Sequence, residues 1–123
     1  MEVNTVGDDG ATDSVKSPNF LLPPSTAAAI DLLSRRWILQ VLYLLCQVEA
    51  RFSELARAVP GLSRRVLTER LRELADQGLV RRIVEDGPPT RIIYCLTEQG
   101  AALRTALDHI DVWASTHHPV RAS

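Results

Sequence analysis

Three leucines, Leu67, Leu71 and Leu74, recur at spacings of four and three inside the stretch PGLSRRVLTERLRELADQGLV, residues 60–80. That rhythm lays one apolar stripe along a helix. Pro60-Gly61 forms a turn ahead of it, Ser63 is a residue type that caps helix N-termini, and Gly78 is placed to end it. A helix over 64–77 follows, bounded on both sides. The rest of the chain has to supply an apolar partner for its stripe. The opposite face is equally constrained: Arg64, Thr68 and Arg72 fall on one line, with Arg65 and Glu69 beside it and Ser63 at the start.

The flanking segments supply the partners. RFSELARAVPG, 51–61, reads as a short helix with Ser53 as its cap and Leu55, Ala56 and Val59 facing inward. RWILQVLYLLCQV, 36–48, carries apolar residues nearly all round, which predicts a helix buried on more than one side. In so short a chain, that implies a second surface against another subunit. A first helix through AAAIDLLS is expected to be capped by Ser25 or Thr26. Downstream, LVRRIVE and TRIIYCL are rich in β-branched residues and are joined by Asp86-Gly87-Pro88-Pro89, the pattern of a hairpin. Thr97 is placed to cap a last helix with the stripe Leu103, Ala106, Leu107, Ile110 and Trp113, in which Gly100 is an awkward early residue.

This order predicts a mainly α fold with a small β-hairpin, a winged helix-turn-helix with flanking dimerisation helices. The folded domain is expected over 25–116. Residues 1–24 are acidic, polar and closed by Pro23-Pro24, so they are expected to be disordered, apart from an apolar Phe20-Leu21-Leu22 that has a surface to find. Residues 117–123 read as a tail.

Charge is unevenly spread. The net value is −1, but residues 51–82 hold eight arginines against four acids, while residues 1–31 hold five acids against Lys16. A basic middle behind an acidic lead-in is a nucleic-acid footprint. Arginine reads guanine in the major groove, serine and threonine bond phosphates or bases, and a second helix of this kind enters the groove N-terminus first. Cations are slightly unfavourable at that end of an isolated helix, whereas an anion there is welcome. Ser63, Arg64, Arg65, Thr68 and Arg72 are therefore the expected readers of double-stranded DNA. Arg81, Arg82 and Arg91 bracket the hairpin tip as a wing along the backbone would. The competing reading is a solvated face, with Arg65–Glu69 and Glu69–Arg72 as weak surface pairs, on a winged helix that binds a partner protein. Such a module has no need of all these arginines.

Trp37, then RFSELARAVPGLSRRVLTERLRELADQGLVRR at 51–82, a Pro-containing wing, and YCLTEQG at 94–100 with Trp113 downstream resemble the HxlR-type regulators, a branch of the winged-helix transcription factors close to the MarR type. The resemblance covers roughly residues 25–116. It implies a homodimeric bacterial regulator on a palindromic operator, with Trp37, Leu103, Leu107, Ile110 and Trp113 at the dimer interface. Two positions depart from the family. Pro23-Pro24 stands where many relatives carry the Cys-Pro pair used to sense oxidants, and Ser34-Arg35 replaces a glycine pair, which predicts a stiffer link. A thiol redox sensor thus becomes the alternative, and a small-molecule effector gains ground, with Trp37 and Trp113 as candidate pocket residues beside their dimer-packing role.

Other function classes find no support. No nucleophile elbow, phosphate loop, dinucleotide fingerprint or metal-ligand spacing is present, so neither an enzyme nor a cofactor is expected. Cys46 and Cys95 lie in apolar surroundings without CxxC spacing and are expected to be buried structural thiols. His109 reads as a surface or interface residue, and His117-His118 make a weak metal site. The apolar runs are too interrupted to span a bilayer, and the N-terminus lacks the apolar core of a secretory leader, so a cytoplasmic protein is expected.

Overall fold

The computed structural model describes residues 20–118 and residue 120. The expected lead-in over 1–24 lies mostly outside those residues, as does most of the expected tail. Two compact units divide at Leu32/Leu33. The first contains most of α1, Pro24–Leu33. Its helix begins at Pro24, ahead of Ser25 and Thr26, so neither residue caps it. Proline suits a first helical position, where its missing N–H costs nothing. No residue of α1 is buried, and Phe20, Leu21 and Leu22 are exposed.

The second unit runs α2 (Ile38–Gln47), β1 (Ala50–Arg51), α3 (Phe52–Ala58), α4 (Arg64–Asp76), β2 (Val80–Glu85), β3 (Arg91–Leu96), α5 (Glu98–Ala101) and α6 (Arg104–His117). Ile38, Val41, Leu42 and Leu45 of α2, Leu55 of α3, and Leu67, Leu71 and Leu74 of α4 make the buried centre. Each fully buried leucine or isoleucine stabilises the fold by about 1.5–3 kcal/mol relative to leaving it in water. The α4 stripe is thus the stripe read from the sequence. Helix α2 is buried along one side only: Tyr43 is exposed, as is Val48 just past its end, so not every apolar position faces the core.

Local chemistry fixes the boundaries. The Ser63 Oγ accepts from the Val66 N–H at 3.1 Å, and Gly61 and Gly78 hold positive φ on either side of α4. Helix α3 is capped differently from expectation: Ser53 lies inside it, and the Glu54 carboxylate accepts the Arg51 N–H at 2.7 Å. The residue before α2 is Trp37, at φ 78, a left-handed conformation unusual for a side chain of that size. The Arg36 guanidinium lies 4.7 Å from its ring, and the ring rests against Gly61. Arg35 bonds Glu73 at 3.0 Å and Arg70 Nε donates to the Arg36 carbonyl at 2.8 Å, fastening the Ser34–Trp37 turn to α4.

The sheet has order β1-β3-β2, all antiparallel. The expected hairpin is there, and the two-residue β1 adds a third strand through Ala50 opposite Tyr94. The expected single last helix is instead two. Thr97 Oγ1 accepts from the Gly100 N–H at 3.0 Å, and the chain then bends at Ala102–Leu103 before α6. Gly100 sits so close to the Leu79 carbonyl that a Cβ there would collide with it. This is why the helix tolerates an early glycine.

Candidate nucleic-acid interface

The N-terminal turn of α4 presents its two arginines in different states. Arg64 lies over the Phe52 ring at 4.8 Å, a cation–π contact that orders its side chain. Arg65 is 86% exposed and bonds Glu69 at 3.5 Å, a surface pair of the kind worth under about 1 kcal/mol. The Thr68 hydroxyl donates to the Arg64 carbonyl at 2.9 Å, so its proton is engaged and its oxygen is left to accept. Glu69 turns to Arg70 rather than to Arg72. Arg70 itself is a structural residue, largely buried and held by Glu73.

The hairpin register redistributes the wing arginines. Arg91 faces Glu85 next to the loop, whereas Arg81 faces Cys95 and Arg82 faces Tyr94 near the hairpin base. They do not bracket the tip together. Strand alternation puts Arg82 and Tyr94 on one face of the sheet and Arg81 and Arg91 on the other. On the first face, Arg82 and Tyr94 converge with Thr68 and Arg72 of α4 around a cleft of about 440 Å3. Tyr94 is quoted in the sequence only as part of the YCLTEQG stretch and not as a site residue. Its place follows from the register alone, which the five-residue loop sets. Phe52, the platform under Arg64, was likewise missed.

Sorting the arginines by partner picks out a set on α4 and the wing. Arg35, Arg51, Arg65 and Arg70 each have a glutamate within ion-pair distance. Arg64, Arg72, Arg81, Arg82 and Arg91 make no ion pair with any described residue, and all five lie on α4 or the wing. Arg36, Arg57 and Arg104 also lack one and lie elsewhere.

The residues expected at a dimer interface divide as well. Leu107 is buried within the chain and Leu103 is half-buried, while Ile110 and Trp113 are 52% and 57% exposed on α6. His117 and His118 lie beside the Trp113 ring, and no group of three metal-ligating side chains occurs among the described residues. Both cysteines are half-exposed rather than buried. Burial nevertheless pushes the Cys46 thiol up, against a smaller opposing pull from Arg104. A separate apolar groove opens between α2, the end of α3 and α6. Neither Trp37 nor Trp113 lines it.

A three-helix core, a β-wing and an arginine-bearing second helix of the pair define the winged helix-turn-helix class. The HxlR-like helix-turn-helix family profile matches residues 32–121, and the chain belongs to that family. The HTH-type transcriptional regulator YvaP of Bacillus subtilis is 45% identical over 92 residues, covering 75% of this chain and 85% of YvaP. YodB of the same organism, also an HTH-type transcriptional regulator, is 35% identical over 91 residues, covering 74% and 81%. The reduced form of YodB superposes with a TM-score of 0.71 over 80% of this chain and 96% of YodB, at 33% identity. The redox regulator HypR in its oxidised form gives 0.72 over 78% and 99%, at 29% identity. YodB has also been seen diamide-treated and quinone-bound. This chain is a helix-turn-helix transcriptional regulator, and none of its described helices is long and apolar enough to cross a membrane.

Proposed function

We propose that the protein binds a palindromic operator as a homodimer, working in the cytoplasm, with the winged-helix domain at about 25–116. Ser63, Arg64, Arg65, Thr68 and Arg72 enter the major groove on α4. Arg81, Arg82 and Arg91 follow the phosphate backbone, and Tyr94 joins Arg72 and Arg82 as a phosphate contact at the wing's base. Trp37, Leu103, Leu107, Ile110 and Trp113 belong to or support the dimer contact. The observation that carries this reading is the set of five arginines without ion pairs on α4 and the wing. Unpaired cations on neighbouring elements, Arg72 and Arg82 round one cleft among them, repel one another, and a polyanion relieves that repulsion while releasing its own counterions. A thiol-switched mechanism, suggested by HypR and YodB, is disfavoured by the raised Cys46 thiol and by Pro23-Pro24 in place of a Cys-Pro pair.

Footprinting the purified protein on DNA flanking its own gene tests the reading. A symmetric protected site is expected, and Arg64→Ala or Arg65→Ala should each weaken it by about 1–3 kcal/mol. A folded protein that protects nothing would instead be a protein-interaction module. Intact operator affinity in the double Arg64/Arg65 variant would remove α4 from the reading role.

A further inference from the structure

Helix α4 has two flanks beside its buried stripe, and different segments cover them. Thr68 and Arg72 lie on one flank, where Arg82 and Tyr94 of the wing meet them. Arg70 stands two residues from each, which at 100° per residue puts it roughly 160° round the helix. That second flank holds the Ser34–Trp37 turn. Arg70 Nε donates to the Arg36 carbonyl at 2.8 Å, and Glu73, which bonds Arg70 at 3.2 Å, also bonds Arg35 at 3.0 Å. The turn carries Trp37 at φ 78, a conformation that costs a bulky residue about 1–3 kcal/mol and persists only where its surroundings enforce it. The half-buried Trp37 ring meets the Arg36 guanidinium at 4.7 Å and rests against Gly61, so its share in the dimer reading is the supporting one. What the turn presents is Arg36 itself: exposed, without an ion pair to any described residue, and beside the Gly61 turn that leads into α4.

We propose that Arg36 grips a phosphate on the DNA strand opposite the one the wing follows, so that the domain holds the major groove by both walls. The inference rests on the DNA-binding reading above and adds a contact outside α4 and the wing. An α-helix with its side chains is about 10–12 Å across and the major groove about 12 Å wide. Helix α4 therefore fills the groove, and whatever lies on its flanks meets the two phosphate walls. The wing meets one wall and the Ser34–Trp37 turn meets the other. Arg35 is bonded to Glu73, which leaves Arg36 as the unpaired cation of that turn. The Trp37 ring restrains its guanidinium in advance, reducing the rotamer freedom that a phosphate contact has to remove.

Salt-dependent binding of the full chain to its footprinted duplex, followed by ethylation interference, tests the contact. Arg36→Gln removes the charge but keeps the carbonyl that α4 holds, so its melting curve should match wild type. It should weaken operator and unrelated duplex alike, by about fivefold, and lower the slope of log affinity against log salt by about 0.9. Arg36→Lys, which keeps the charge, should keep the slope. Arg104→Gln should leave it unchanged, because that arginine is turned onto the Cys46 carbonyl at the far end of α2. Ethylated phosphates that stop interfering in Arg36→Gln should lie across the major groove from those that stop interfering in Arg82→Gln. An unchanged slope in Arg36→Gln, an equal drop in Arg36→Lys or Arg104→Gln, or phosphates on the wing's own DNA strand would each overturn the proposal while the operator reading stands. A wild-type protein that binds no duplex would remove both.

Discussion

Arg64 and Arg65 are chain neighbours with opposite degrees of order. Arg64 is held over Phe52, whereas Arg65 projects into solvent with only a surface pair to restrain it. Immobilising a long side chain on binding costs up to about 2 kcal/mol of rotamer freedom, and Phe52 has already met part of that for Arg64. The Ser63 cap and the arginine line are visible in sequence because they depend on neighbours within one helical turn. The Phe52–Arg64 and Arg82–Tyr94 contacts are not, because they join segments whose relative placement depends on packing and register. Cys46 illustrates the same limit: its apolar setting is legible, its partial exposure is not. With burial raising its pKa, Cys46 is a poor nucleophile at neutral pH. Alkylation by iodoacetamide should therefore accelerate only in the alkaline range, and Arg104→Ala should move that rise further up. Modest peroxide should leave operator binding unchanged, and a Cys46→Ser, Cys95→Ser double variant should still bind. Loss of binding on oxidation, reversed by a thiol reductant, would restore the redox reading.

Elements with strong periodicity or clear punctuation, α4 and the hairpin above all, stand where the sequence puts them. Caps and breaks were harder. Several helices have serine or threonine near their starts, and only tertiary placement decides which hydroxyl faces the open N–H groups. Glu54 took the role at α3 that Ser53 was expected to fill. Its carboxylate is held below the usual range, first by the Arg51 backbone N–H. A depressed folded-state value means the contribution is present above the unfolded pKa and lost as pH falls through the folded one. Melting temperature should therefore fall through the acidic range, and Glu54→Gln should flatten that limb by lowering the neutral and alkaline plateau while leaving the acid end alone. The α5–α6 break has its own test. Gly100→Ala drives a methyl into the Leu79 carbonyl, with an expected loss of about 1–3 kcal/mol in a denaturant melt. A melt equal to wild type would mean that the α5 corner yields freely.

Ile110 and Trp113, three residues apart on α6, expose large apolar side chains on one face of that helix. Patches of this kind on regulators mark contacts between chains. Sedimentation equilibrium should show a dimer that persists into the nanomolar range, and Trp113→Ala with Ile110→Ala should give a monomer with weakened operator affinity. A wild-type monomer at micromolar concentration would remove the palindrome from the reading. Composition is informative only once it is resolved along the chain: a net charge of −1 conceals five arginines without ion pairs on α4 and the wing.

A single hydroxyl ties that surface together. Thr97 Oγ1 donates to the Gly78 carbonyl at 2.6 Å, just past the end of α4, and accepts from Gly100, while its own N–H bonds Leu79 at the foot of the wing. Helix and wing are thereby set at one spacing, like two jaws of a fixed gauge. For an operator the consequence is a difference between kinds of change. A base exchanged under α4 alters one contact, but a base pair inserted between the stretch under α4 and the stretch under the wing asks the gauge to open. Such a half-site should lose one of the two contacts outright, whatever its bases.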